Sequence, residues 1–253
     1  MKLCIGCLTL VLLSLTPSLH AATCDQAILN GNYAAANIGY VAGSPGYGAV
    51  LFLETYDGVS KFTGSGVENV NGTVSTGVTL SGTYSIVAVG ANCSFSESAT
   101  DSLGNTVTVS GTVNSTGGEM DGISTAAGTE MQFTAYKQAK TTCTEANAAG
   151  SYTEKVYWGD TPVGIVLVTA QSKVTSKGAE TGSLVENYGG GTIVSGTFTG
   201  TTTVNSNCTF NATQTYSFGG TGNAFGVAGI SENGVKAVWI GTDSGYVGLA
   251  TLY

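Results

Sequence analysis

The chain has 253 residues, 42% of them hydrophobic and only 9% charged, against about 25% charged in an ordinary globular domain. Its eight basic residues are all lysines, its single histidine, His20, ends an N-terminal apolar segment, and its formal net charge is −8. Without that segment the chain holds neither arginine nor histidine. This excludes imidazole bases, Ser-His-Asp and Cys-His arrangements, histidine metal sites and guanidinium clamps on phosphate. The acidity and the lack of a basic run also speak against nucleic-acid binding, whose affinity comes mainly from neutralised phosphates.

Residues 1–22 combine Lys2, a leucine-rich apolar stretch from Leu3 to Leu15, Pro17 and the small pair Ala21-Ala22, the layout of a secretory signal peptide. An uncleaved anchor would need about 20 apolar residues, more than this stretch supplies. No later segment is long and apolar enough to span a bilayer, so no integral membrane segment is expected after signal removal. Cys4 and Cys7 leave with the signal, and Cys24, Cys93, Cys143 and Cys208 remain. An even cysteine count in an exported chain reads as disulfides. The competing reading, lipidation of Cys24, meets a bulky Thr23 just before the cysteine and would strand Cys93.

The chain matches itself. Cys24, Ala27, Gly31 and Tyr33 recur at the same spacing as Cys143, Ala146, Gly150 and Tyr152. Further matches join Gly48–Leu51 with Gly164–Leu167, Val67-Glu68-Asn69 with Val185-Glu186-Asn187, and Ser81–Tyr84 with Ser195–Phe198. Asn92-Cys93-Ser94-Phe95 then joins Asn207-Cys208-Thr209-Phe210, and Tyr136 joins Tyr253. A period this long marks a duplicated domain, since solenoid repeats have periods of about 20 to 50. The expected division is 1–22 signal peptide, 23–138 first repeat and 139–253 second repeat. Each copy owns one early and one central cysteine, so the simplest pairing is Cys24 with Cys93 and Cys143 with Cys208.

In chain order, runs rich in Val, Ile, Thr, Tyr and Phe predict strands near 32–41, 47–56, 59–69, 77–89, 92–99, 105–113, 119–126 and 130–137. The second copy repeats the series near 151–158, 163–171, 173–187, 191–204, 206–218, 223–230, 235–241 and 245–253. Asp57-Gly58, Gly104-Asn105, Asn233-Gly234 and Ser244-Gly245 supply hairpin turns. Asp25–Leu29 and Thr144–Ala148 are each long enough for one helical turn. The fold class expected is all-β, two tandem eight-stranded antiparallel up-and-down barrels of lipocalin-like plan, which leave no sheet edge exposed. Immunoglobulin-like sandwiches would want a core tryptophan near the disulfide, and the first copy has none.

A cysteine before a Gly-x-Tyr strand, then Gly82-Thr83-Tyr84 and Asn92-Cys93-Ser94, with Gly196-Thr197-Phe198 and Asn207-Cys208-Thr209 in the second copy, resembles a group of exported bacterial β-proteins. Their strand plan is similar to the lipocalin-like barrels of the allene oxide cyclase and dirigent proteins. The resemblance covers both copies and implies a barrel fold, and a lumen with it. None of those families' functional residues match positions here, so it implies no activity.

The candidate ligand-binding residues are Tyr33, Glu68, Tyr152 and Glu186. The two glutamates hold matched places in Val-Glu-Asn strands, where a lumen-facing carboxyl would bind a hydroxyl and a solvent-facing one would do nothing. The two tyrosines hold matched places and offer a hydroxyl on an apolar ring. Glu54 has no acidic counterpart, the second copy offering Ala170 or Gln171, which leaves a shared two-carboxylate site without support. Trp158 and Trp239 occur only in the second copy and make it the better candidate for a ligand site.

Asp57, Asp101, Asp121, Asp160 and Asp243 lie in separate turns rather than in a calcium-binding run. Gly189-Gly190-Gly191 lacks the helix and lysine of a phosphate cradle. The sequons at Asn71, Asn92, Asn114, Asn207 and Asn211 would take glycans only on a eukaryotic secretory route. No catalytic residue, metal or cofactor is expected. The function expected is a secreted or periplasmic non-catalytic binding protein whose partner is an apolar small molecule or a cell-envelope component. The alternatives are an allene oxide cyclase-like cyclase or isomerase and a structural or adhesive protein.

Overall fold

A computed structural model describes residues 24–41, 46–90, 92–160, 164–188 and 191–253. The expected signal peptide lies outside the described residues, as do Gly189 and Gly190. Among the described residues no helix is long and apolar enough to cross a membrane.

A 3₁₀ turn, Gln26–Leu29, leads into β1 (Gly31–Val41), β2 (Gly46–Tyr56), β3 (Lys61–Val70), β4 (Thr73–Val89), β5 (Asn92–Asp101), β6 (Thr106–Val113), β7 (Glu119–Ser124) and β8 (Thr129–Lys137). One helical turn, α1 (Glu145–Ala148), then precedes β9 (Gly150–Asp160), β10 (Gly164–Val174), β11 (Ala179–Tyr188) and β12 (Thr192–Val204). The chain ends with β13 (Thr209–Tyr216), β14 (Thr221–Ala228), β15 (Ala237–Gly241) and β16 (Tyr246–Leu252). Each set of eight pairs with its sequence neighbours, antiparallel, and closes first strand to last. The architecture is therefore the expected pair of tandem barrels. The expected strand 173–187 is interrupted, because Thr175–Gly178 forms a turn closed by Thr175 N–H on the Ala179 carbonyl, with Gly178 at positive φ.

Both disulfides form within a copy, Cys24–Cys93 with Cα atoms 5.3 Å apart and Cys143–Cys208 with 4.9 Å. Two disulfides fit an oxidising, extracytoplasmic compartment.

Cross-strand pairing corrects part of the internal alignment. Tyr33 pairs with Glu54, whereas Tyr152 pairs with Ser172, so β2 and β10 correspond two residues away from the Gly48–Gly164 match. Phe62 pairs with Tyr56 and Gly82, as Glu180 does with Val174 and Gly200. Tyr84 thus corresponds to Thr202 and not to Phe198. Common dipeptides such as Ser-Gly-Thr recur along Gly/Thr-rich strands and misalign easily. The cysteine, Gly-x-Tyr, Val-Glu-Asn and terminal tyrosine matches all agree with the pairing.

The 38 glycines have a packing role beyond turns. Phe52 pairs across the sheet with Gly66, Phe62 with Gly82, Phe95 with Gly111, and Phe133 with Gly122. In the second barrel Phe198 pairs with Gly182 and Phe210 with Gly226. A large ring opposite a residue without Cβ lets inward layers interdigitate. A Cβ on Gly226 would lie 2.1 Å from the Phe210 ring.

The barrels share an apolar seam. Ala34, Ala36, Ala49, Leu51, Leu53 and Val67 on the outside of the first barrel pack with Val227, Ile230, Val235, Val238, Ile240 and Val247 of the second. Asn69 Nδ2 donates to the Gly241 carbonyl at 3.0 Å, and Gln138 Nε2 to the Ala228 carbonyl at 2.8 Å. β2 and β15 are therefore buried on both faces, which accounts for their unbroken apolar runs Ala49–Leu53 and Ala237–Ile240. Leu51 is fully buried in this seam. Leu51→Ala is expected to cost about 2–5 kcal/mol, and scanning calorimetry should then show the joint unfolding transition split in two.

Candidate functional site

The two barrels share a backbone plan but differ in what fills them. In the first, Tyr56 is the hub. It stacks on Phe62 with ring centroids 5.0 Å apart and meets Tyr33 and Tyr84 edge-on, each at 5.1 Å. Its hydroxyl lies 2.7 Å from Glu54 Oε2 and 2.5 Å from Glu97 Oε1. A phenol has one proton to donate, so at least one of the two acids is protonated and donates to the phenol oxygen. Burial holds Glu97 well above the usual carboxylate range, helped by the charge of Glu54, and raises Glu54 to about 7.

The end of this barrel nearest the disulfide is plugged by the 3₁₀ turn. Leu29 is fully buried there, Tyr33 donates to the Gly117 carbonyl at 2.6 Å, and Tyr84 to the Gln26 carbonyl at 3.2 Å. What remains inside is a cavity of about 70 Å³ beside Glu54, Glu68 and Glu97.

In the second barrel the same positions carry smaller side chains. Following the pairing, Phe52 is replaced by Ala170, Tyr56 by Val174, Tyr84 by Thr202, Glu97 by Ala212, Val109 by Ala224 and Phe133 by Ala250. Trp239, in the place of Gly122, restores only part of the lost volume. The plug is reduced as well, since Ile28-Leu29 becomes Asn147-Ala148, and α1 has no buried residue. The result is a cavity of about 400 Å³ that opens at the disulfide end, with Lys140 and Lys236 at its rim. That volume lies in the range of small-molecule sites.

The cavity wall is mainly apolar, with Val174, Phe210, Ala212, Ala237 and Leu252 around one polar cluster. Glu180 accepts from Thr202 Oγ1 at 3.2 Å and from Gln214 Nε2 at 3.1 Å, while Tyr216 donates to Gln214 Oε1 at 3.0 Å. Burial, together with the neighbouring charge of Glu154, raises Glu180 to about 7. Glu154, only 3% exposed, is also raised by burial, against the pull of the adjoining Ser172 and Trp239 side chains. Its Oε1 and the Ser172 hydroxyl are buried without a hydrogen-bond partner.

Each of the four expected ligand residues has a definite place. Tyr152 lines the open cavity and donates to the Ala148 carbonyl at 2.6 Å. Tyr33 belongs to the plug. Glu68 is buried beside the small first cavity, where burial and then the adjacent Asp101 raise it to about 7. Glu186 is also buried, 7% exposed, further along β11. The Trp158 side chain lies outside the described residues, and Trp239 lines the cavity.

The Glu54 comparison needs correction. Its counterpart is Ser172, and each barrel does contain a two-carboxylate arrangement, assembled from non-equivalent positions: Glu54 with Glu97 in the first, Glu154 with Glu180 in the second. Strand parity was the signal that finds the second pair. Tyr152 faces inward, so Glu154 two residues on does too, and Glu180 shares its face with Glu186. Asp57 and Asp101 cap their own turns, accepting from the Val59 and Leu103 amides at 2.8 Å each. Among the described residues no group of three His, Cys, Asp or Glu could hold a metal ion.

No described protein family, curated protein or solved structure matches this chain.

The buried acids set the direction of pH dependence. With folded values near 7 for Glu54, Glu68 and Glu180, against an unfolded value of about 4.3, the folded protein holds more protons between those limits. Stability is therefore greatest below about pH 4.3 as far as these groups decide, falls as pH rises to 7, and levels off above. Thermal midpoints measured from pH 4.5 to 8 should decline, and Glu54→Gln should flatten the decline.

Proposed function

We propose that the chain is an exported binding protein in which the second barrel carries a small amphipathic molecule and the first serves as a filled structural partner. One observation carries the reading. On a shared strand plan, the second barrel lacks the rings that Phe52, Tyr56, Tyr84 and Phe133 supply in the first and has a reduced plug, leaving a cavity of about 400 Å³ with an apolar wall and a buried carboxyl oxygen that has no partner. A protein that needed only two stable barrels would gain by filling that space, since voids cost stability. Export agrees with the two disulfides and with the N-terminal apolar segment.

A second reading takes its support from Glu180. A carboxyl raised to about 7 inside an apolar chamber suits proton transfer near neutral pH. The chain would then be a cyclase or isomerase acting mainly through shape, in line with the resemblance to allene oxide cyclase barrels.

The neutral fluorophore N-phenyl-1-naphthylamine should bind at one site per chain, with enhanced emission. The double variant Ala170→Phe/Ala250→Phe restores the rings that Phe52 and Phe133 supply in the first barrel, and should abolish binding while leaving the strand circular dichroism unchanged. Undiminished binding in that variant would place the ligand elsewhere.

A further inference from the structure

The polar end of the second-barrel lumen is unbalanced in a way that specifies its ligand. The donors that line the cavity there are directed at the carboxyls, the Thr202 hydroxyl and Gln214 Nε2 at Glu180 and the Trp239 indole at Glu154, while the Ser172 hydroxyl adjoins Glu154 from behind the cavity wall. What is left over is acceptor capacity, above all Glu154 Oε1, which is buried and bonded to nothing. Two acids close enough to feel each other's charge share this space. The lysines that line the cavity, Lys140 and Lys236, are exposed at its rim.

We infer that the second barrel binds a primary or secondary ammonium ion carried on an apolar body, with the charged nitrogen between Glu154 and Glu180 and the body against Phe210, Trp239 and Leu252. This rests on the reading of the lumen as a ligand site and names the class of ligand. An ammonium supplies two or three hydrogens where the wall supplies only acceptors. Its charge also compensates what otherwise penalises two ionised acids in one low-dielectric chamber. A hydroxyl brings a single hydrogen and no charge. A carboxylate would place a third negative group beside the pair. The protein's net charge of −8 also favours approach of a cation. The rim lysines disfavour a second positive charge at the outer end, so a monoamine suits the site better than a long diamine.

Binding is then linked to protonation. Without an ammonium beside it Glu180 retains its proton up to about pH 7, Glu154 is raised by burial as well, and the ammonium must displace the proton of Glu180. Around the pair stand Tyr152 on β9 and Tyr216 on β13, both phenols pushed up by burial and therefore neutral throughout, with Lys140, Lys236 and Tyr253 at the rim and Glu186 further along β11. Affinity should rise from pH 5 to 7, by up to about tenfold per unit, and then level off.

The test is displacement of N-phenyl-1-naphthylamine from the full-length protein by octylamine, octanol and octanoate at pH 7.5, followed by calorimetric titration of octylamine. Octylamine should compete at least about tenfold better than octanol, a difference of about 1.4 kcal/mol, and octanoate worst. Near pH 6 its binding should release close to one proton, measured in buffers of different ionisation enthalpy. Glu154→Gln should erase most of the preference for amine over alcohol while the fluorophore still binds. If octanol or octanoate competes as well as octylamine, or no proton is released, the ammonium assignment fails and the lumen reading stands. If the fluorophore never enters the wild-type lumen, both fail together. The proton-release measurement uses the wild-type protein, so a misfolded variant does not blunt the test.

Discussion

Closure of the eight-stranded ladder is the constraint from which the other features follow. Once the last strand pairs with the first, the strand number and stagger set the interior volume, and side chains either fill it or leave it empty. The first barrel fills it with rings from Tyr33, Tyr56, Phe62, Tyr84, Phe95 and Phe133, each large Phe ring lying opposite a glycine. The second keeps the ladder and shortens the side chains. A cavity follows because the backbone cannot contract to meet them.

Burial of carboxyls is the other shared theme. With no arginine and few lysines, the barrels hold their inward acids without cations, using neutral donors instead. In the first barrel the Tyr56 phenol joins Glu54 and Glu97 into one proton-sharing unit, wrapped by aromatic rings. In the second, Thr202 and Gln214 support Glu180, and Glu154 keeps one oxygen unsatisfied. A closed network of this kind rigidifies a core, whereas the open one leaves acceptor capacity beside the cavity.

The seam between the barrels explains why duplication yields one molecule rather than two beads. Strands β2 and β15 each give one face to a lumen and the other to the seam, so each barrel's wall is part of its partner's packing. The filled barrel thereby braces the empty one. Gln138, on the link between the copies, adds a bridge to Ile230 and a hydrogen bond to Ala228.

Much of this was legible in the chain itself. The cysteine spacing, the Gly-x-Tyr starts and the Val/Thr-rich runs with glycine turns determined two eight-stranded units and their disulfides, because alternation and turn chemistry are local properties. The absence of histidine and arginine likewise excluded imidazole and guanidinium partners for any inward acid. Tertiary structure alone decided the register that equates Glu54 with Ser172 and Tyr84 with Thr202, since Gly/Thr-rich strands align with themselves at several offsets and only hydrogen-bonded neighbours select one. It alone decided which lumen is open. Volume inside a closed barrel is a sum over side chains from eight strands, no single one of which reveals whether the space between them is filled.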